Sequence, residues 1–321
     1  MVNGLFGSPA NWDVLAEKIG NKETLSSFAL LAVTTNTRIQ TFGGIDIGGD
    51  RLVVEIRAYV AEHPPLKRIS VLVHSMGGLL ARYCIGKLFN PITQRVCGLI
   101  PVHFISMATP HLGCDGTGNA QVPFIGWTEG MPLAGSSISW ALGSAAAPVA
   151  SVALGATGAQ FFRTDGKASG EQPLLMRLAQ DGEEEGTQFW SALAAFCTCT
   201  CYANSSGDHL VGWANASFLR ADAEGCGIEE PADLRDDGWR EQDEACMEED
   251  STEAEHILKR LQMLRWRRVD VCFRDTRTPF FAHNLIQVTR RWLNWEGESV
   301  ACHVADQLAS IEQLASRYTS P

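Results

Sequence analysis

The sequence predicts an α/β fold, with a mostly parallel central sheet and helices on both of its faces, in a single domain spanning 1–321. Three observations predict it. Apolar runs alternate along the chain with amphipathic stretches, the order that parallel strands joined by crossover helices produce. One of those runs, Ile69 to Val73, reads as a strand of the fully buried type, which parallel sheets use. With 321 residues, 45% of them hydrophobic and 20% charged, the chain has enough apolar material for a thick core.

The elements follow in order. Met1-Val2 reads as the end of a strand running straight into the glycine loop Asn3-Gly4-Leu5-Phe6-Gly7. A strand that begins two residues before its loop predicts a natural chain extending further upstream. Phe28 to Val33 reads as the next strand. Asp50 can cap a helix that carries Leu52, Ile56 and Tyr59 on one face and ends before Pro64. After the strand Ile69 to Val73 comes a helix, Leu79 to Leu88, and then a strand, Leu99 to Met107, closed by Thr109-Pro110. Two short helices are expected around Leu174–Leu178 and Phe189–Phe196. Cys197 to Asn204 and Val269 to Phe273 read as late strands. A final helix shows Val300, Val304, Leu308, Ile311 and Leu314 on one face. No internal repeat interrupts the series.

Two segments depart from the alternation. Residues 114–165 are rich in Gly, Ala and Ser and nearly free of charge, and are expected to form a lid-like insertion near a site. Residues 221–252 are acidic with few apolar anchors, so they are expected to form a mobile, solvated loop. Residues 221–255 hold fifteen acids against Arg235 and Arg240, a local charge of −13 that leaves the rest of the chain at +2. With no basic stripe, a nucleic-acid partner is excluded.

No run of about 18 uninterrupted apolar residues predicts a transmembrane helix. The ten cysteines form neither a disulfide framework nor a zinc set. Cys197, Cys199 and Cys201 alternate along one strand face as small core residues, without the paired spacing that zinc requires. No metal and no cofactor are expected. In the absence of a signal peptide, the expected location is a reducing compartment, cytoplasmic or at the periphery of a membrane.

The chemistry centres on Val73-His74-Ser75-Met76-Gly77-Gly78. A buried strand ends at Ser75 and a helix begins just beyond it, the strand–turn–helix setting of a nucleophile elbow. A sharp turn there would project Ser75 Oγ from the sheet edge. It would also aim the Met76 N–H, at a helix N-terminus, toward a developing oxyanion. The early glycine loop offers the Leu5 N–H as a second donor. An acid and a base follow in the order Ser…Asp…His: Asp208 on the loop after the Cys-rich strand, and His283 after the last strand. His283 is the expected general base and acid, and Asp208 the carboxylate that orients its ring. His74, adjacent to Ser75 on a strand, should point to the opposite face as a packed histidine. His209 is expected to shape the Asp208 loop. His111 is a candidate for a substrate-side role, as are Phe124 and Trp127 of the lid-like insertion. Asp115, Asp270 and Asp275 are weaker candidates for the acid.

These blocks resemble a serine esterase family of α/β-hydrolases that includes yeast and plant lipase-like proteins. The matching stretches are VNGLFGSPANW, TFGGIDIGGDRL, ISVLVHSMGGLLARYCIG, GLIPVHFISMATPHLG, NSSGDHLVGW, RVDVCF and AHNLIQVTRRWLN. The departures are Val73, where the family tends to carry a small residue, and Asn3, where many lipases have His. The family commonly has a longer N-terminus before the VNG block. The resemblance implies an α/β-hydrolase fold, the triad Ser75, Asp208 and His283, and carboxylic-ester hydrolysis, with lipid or a small ester as substrate. The large apolar residues of 114–165, Phe124 and Trp127 among them, are expected to cover an acyl pocket and touch a lipid surface. Two alternatives stand beside ester hydrolysis: acyl transfer or thioester cleavage on the same triad, and a catalytically silent hydrolase scaffold that binds without reacting.

Overall fold

The computed structural model of the chain describes residues 1–114, 154–166, 170–219, 234–239 and 252–319. A five-stranded sheet forms the centre. In chain order its strands are β1 (Arg68–His74), β2 (Ile100–Met107), β3 (Thr198–Asn204), β4 (Leu234–Trp239) and β5 (Trp266–Val271). Across the sheet the order is β1-β2-β3-β5-β4. The first four of these are parallel, and β4 closes the edge antiparallel to β5. The longer helices are α1 (Asp13–Gly20), α2 (Ile45–Glu62), α3 (Gly77–Leu88), α4 (Glu253–Gln262) and α5 (Glu298–Thr319).

Period-2 alternation along the strands divides the core in two. Val71 and Val73 of β1, Phe104 of β2, Cys199 and Cys201 of β3 and Trp266 of β5 pack with α2, α3 and α4 on one face. Leu72, Ile105, Met107, Tyr202, Val269 and Val271 pack with α1 and α5 on the other. Both faces are therefore covered, as continuous apolar strands require. The α/β-hydrolase arrangement that the sequence predicts is the one observed. α4 opens on a capping box, in which Thr252 Oγ1 accepts from the Glu255 N–H at 3.3 Å and the Glu255 carboxylate accepts from the Thr252 N–H at 2.8 Å. Among the described residues no helix is long and apolar enough to cross a membrane.

Three sequence expectations are corrected. Phe28 to Val33 forms no strand of the sheet. Its pairing with the chain start is confined to Met1, through the Val33 N–H to the Met1 carbonyl at 3.1 Å and the Met1 ammonium to the Leu31 carbonyl at 2.7 Å, too short a partner for a ladder. Asp50 is not an N-cap: α2 begins at Ile45, after Gly44 with φ +118°, and Asp50 lies inside the helix. The acidic segment 221–252 is not loop throughout. Leu234–Trp239 pairs with β5 in the register Leu234↔Val271, Arg235↔Asp270 and Asp236↔Val269, because the open edge of β5 offers a complete row of backbone partners.

Among the described residues no cysteine is in a disulfide. Cys199 and Cys201 are enclosed core residues, whereas Cys197 precedes β3 and is exposed. Burial pushes the thiols of Cys199 and Cys201 up, the latter to about 12, so neither offers a thiolate near neutrality.

Candidate active site

Parallel strands carry their C-terminal ends to one edge of the sheet, and three chain segments meet there. Ser75 follows β1 directly. Its φ of +55° is the left-handed conformation that an elbow imposes on a residue with a Cβ. The turn is held by the Ser75 N–H, which donates to the Met107 carbonyl at 2.9 Å, and by the Gly78 N–H, which donates to the Ser75 carbonyl at 3.1 Å. Gly77 is required by close approach: a Cβ there would lie 2.5 Å from the Val2 carbonyl oxygen and 2.6 Å from that of Asn3. Gly4 is pressed equally hard against the nucleophile, since a Cβ on it would sit 2.6 Å from Ser75 Cβ. Val73 is fully buried in the same apolar cluster as Leu79 and Leu80, so the strand accommodates a branched side chain two residues before the nucleophile.

His283 bridges the other two groups. Ser75 Oγ lies 2.9 Å from its Nε2, and its Nδ1 lies 2.9 Å from Asp208 Oδ2. A carboxylate can only accept, so Nδ1 carries the proton and Nε2 is left as the acceptor of the serine hydroxyl. The Asp208 side chain is almost wholly enclosed, and every lone-pair direction is used. Oδ1 accepts from the Leu210 and Val211 N–H groups at 3.0 and 2.9 Å, and Oδ2 accepts from Asn204 Nδ2 at 2.7 Å as well as from His283. Burial pushes its carboxyl up, but the His283 charge and these hydrogen bonds outweigh burial and hold it below its ordinary value. It stays an anion at neutral pH.

Met76 follows Ser75 directly, and Leu5 lines the same cavity as Ser75 from the glycine loop. Among the described residues neither N–H has an acceptor in the chain, so both remain available as donors. Asn3 is buried, and its amide donates to the Val33 carbonyl at 3.4 Å, tying the glycine loop to the neighbouring segment. His209 stacks on Phe280, with ring centroids 5.7 Å apart. Asp270 lies within β5 and accepts the Trp213 indole N–H at 2.7 Å.

A cavity of about 900 Å³ opens beside Ser75 and His283. Its wall is mainly apolar, with Leu5, Leu154, Phe161, Phe162, Val211 and Leu293 among its members. The described end of the 114–165 segment thus borders the site, whereas Phe124 and Trp127 lie outside the described residues. His111 is placed differently from its expected substrate-side role. It is fully enclosed, its Nε2 is 3.1 Å from Ser106 Oγ, and its ring packs on Phe218 and Trp266. Pro110, not His111, reaches the cavity wall. The turn after β2 carries the imidazole inward, and burial followed by the nearby Arg82 holds it neutral. Among the described residues no cluster of His, Cys, Asp or Glu has the arrangement of a metal site.

Two contributors escape a reading by motif. Asn204, the last residue of β3, fixes the Asp208 carboxylate; its only sequence signal is its place at the head of the NSSGDH block. His74 is buried as expected, yet its Nε2–H donates to the His283 backbone carbonyl at 2.8 Å and its ring lies 4.7 Å from that of His283.

A family model described as "Putative serine esterase (DUF676)" matches residues 1–218. The chain belongs to this serine esterase family. The match takes in Ser75 and Asp208 and ends before His283, which joins them through the fold. The chain is also 25% identical over 218 residues to a protein named "Putative lipase C4A8.10" of Schizosaccharomyces pombe, an alignment covering 65% of this chain and 24% of that relative. The chain therefore spans about a quarter of that curated protein's length.

Proposed function

We propose that the protein is a serine carboxylic-ester hydrolase that acts on lipid esters through a Ser75 acyl-enzyme. The observation that carries the reading is the continuous hydrogen-bonded line Ser75–His283–Asp208 at the mouth of an apolar cavity. In this reading His283 Nε2 takes the Ser75 proton as Oγ attacks the ester carbonyl carbon. The oxyanion is met by the Leu5 and Met76 N–H groups. When the tetrahedral adduct collapses, the carbon–oxygen bond to the alcohol breaks, and His283 returns the proton to the departing oxygen. A water then gives a proton to His283 as it attacks the acyl carbonyl carbon; the bond from that carbon to Ser75 Oγ breaks, His283 returns the proton to Oγ, and the carboxylic acid leaves. Asp208 holds the ring and offsets the positive charge that His283 gains at each proton transfer. No step calls for a metal or an organic cofactor.

The lipid part of the reading rests on the cavity. A volume near 900 Å³ exceeds what an acetyl ester fills, and its wall suits an acyl chain. A fluorophosphonate probe tests the chemistry: it should label Ser75, and Ser75→Ala should abolish labelling. Ser75→Ala, Asp208→Ala and His283→Ala should each lower turnover by roughly 10³-fold or more, and the combined losses should fall far short of the product, because the groups act as a unit. A series of p-nitrophenyl esters of increasing chain length should show kcat/KM rising beyond acetate. A folded protein that neither labels nor hydrolyses any of these esters would sink the proposal and leave a silent scaffold.

A further inference from the structure

Among the described residues five large aromatic side chains stand exposed: Phe6, Phe280, Phe281, Trp292 and Trp295. Trp292 is 75% exposed and Trp295 50%, unusual for side chains that bury so much area when given a partner. Two of them, Phe6 and Phe281, line the Ser75 cavity, and Trp292 adjoins Leu293 of its wall in sequence. Arg290 also belongs to that wall, from the segment that carries both tryptophans. Phe280 stacks on His209, the neighbour of Asp208. The Arg277 guanidinium lies over the Trp295 ring at 5.9 Å, and the Arg277 N–H donates to the Glu296 carboxylate at 3.1 Å. The turns at 277–281 and 290–297 are therefore a single surface. Arg291 is held by Glu17 and Glu298, whereas Arg277 and Arg290 have no ion pair among the described residues.

We propose that this face docks on a phospholipid bilayer, with Trp292 and Trp295 seated at the headgroup level and Arg277 and Arg290 against lipid phosphates. Indole rings settle where an apolar body and a polar N–H can both be satisfied, which is the membrane interface. Free guanidinium groups beside them complement phosphate. A protein partner would also use Trp and Arg, but the patch runs into an apolar cavity through Phe6, Phe281 and Arg290, and a bilayer uses that continuity by passing an ester from the lipid phase to Ser75. This use of the surface rests on the ester-hydrolase reading, whereas the docking is measured apart from it.

The test uses the full chain carrying Ser75→Ala, so that vesicles stay intact, in flotation with phosphatidylcholine vesicles made with and without phosphatidylglycerol. The protein should float and its tryptophan emission should shift to the blue, more strongly with phosphatidylglycerol. Adding Trp292→Gln and Trp295→Gln should lower vesicle partition by about tenfold or more. The same pair placed on an intact Ser75 should leave the melting temperature and the turnover of a short soluble ester unchanged. Equal flotation of the parent and the double variant would overturn the proposal. So would a parent that ignores vesicles but self-associates through this face, seen as a dimer that the two glutamines dissolve. If the double variant loses vesicle binding while no ester is ever hydrolysed, the docking surface stands and the ester-hydrolase reading falls.

Discussion

His74 carries a role out of proportion to its place in the motif. It is buried, and its Nε2–H holds the backbone carbonyl of His283, the residue that must reach Ser75 and Asp208 at once. Burial first, and then the neighbouring His283, push its imidazole down to about 3, so it stays neutral while His283 cycles between protonation states. It acts as a positioning residue. His74→Leu leaves the His283 carbonyl without a donor and should lower kcat by roughly tenfold with little change in KM, since a misplaced base costs chemistry and not binding. His74→Gln retains an N–H donor and should recover most of the loss. Equal rates for both variants, measured on a soluble ester with the melting temperature as a check on folding, would show that the bond is incidental. The strand period foretold a packed His74 on the face opposite Ser75; it is buried, but it lines the same cavity as Ser75 and lies beside the His283 ring. The partner comes from a segment more than two hundred positions away, and no local spacing encodes that meeting. Ser75, Asp208 and His283 were legible because each follows one of the parallel strands β1, β3 and β5, whose C-terminal ends share an edge, although His283 comes only after the turn and short helix beyond β5. His111 reads similarly in sequence yet is drawn into the core, because the turn after β2 sends its ring toward Phe218 and Trp266.

Strands and helices with a clear period were legible to within a few residues: Leu99 to Met107 against β2, Cys197 to Asn204 against β3, Val300 to Leu308 within α5. β4 was not. Its residues Leu234–Trp239 read LRDDGW, a stretch whose charge argues for solvent, and no local rule reports that an open strand edge stands waiting on β5. Pairing with that edge satisfies backbone groups that the acidic sequence could not otherwise bury. Removing 224–248 takes β4 with it, bares β5 along Trp266–Val271 and should lower the melting temperature and promote aggregation. A shorter cut, confined to 240–248, leaves Leu234–Trp239 in place and should be nearly neutral. Activity on a soluble ester should persist in the folded fraction of both, because Asp208 is anchored by β3 and its own loop and His283 lies beyond β5. Indistinguishable melting curves for the two deletions would mean that the β4 ladder adds nothing to stability.

For the molecule as a whole, three histidines buried in the neutral form set its response to acid. Burial, followed by His283, pushes His74 down to about 3. Burial, followed by the charge of Arg68, pushes His103 down to about 4. His111 is pushed well below its ordinary 6.5 by burial and then Arg82. In the unfolded chain all three recover that ordinary value, so as pH falls below about 6.5 the unfolded state takes up protons that the folded state refuses. Their contribution to stability is complete above that pH and is lost progressively as pH falls toward 4 and then 3. Asp208, whose carboxyl is depressed, adds to the loss in the same direction but only below its ordinary 3.8. Each fully engaged histidine changes the unfolding free energy by about 1.4 kcal/mol per pH unit, so the three together approach about 4 kcal/mol per unit, a steep slope against a marginal total. The melting temperature should therefore be flat above neutrality and fall sharply once the pH drops below about 6. His103→Gln offers the cleanest dissection, because His103 lies near the start of β2, bonded to Thr198 Oγ1 at 2.7 Å and outside the walls of the cavity. That variant should shed about a third of the acid slope while its soluble-ester turnover stays unchanged. An acid slope identical to that of the parent would show that His103 is protonated in the folded state, and a melting temperature flat down to about pH 4 would show the same of all three.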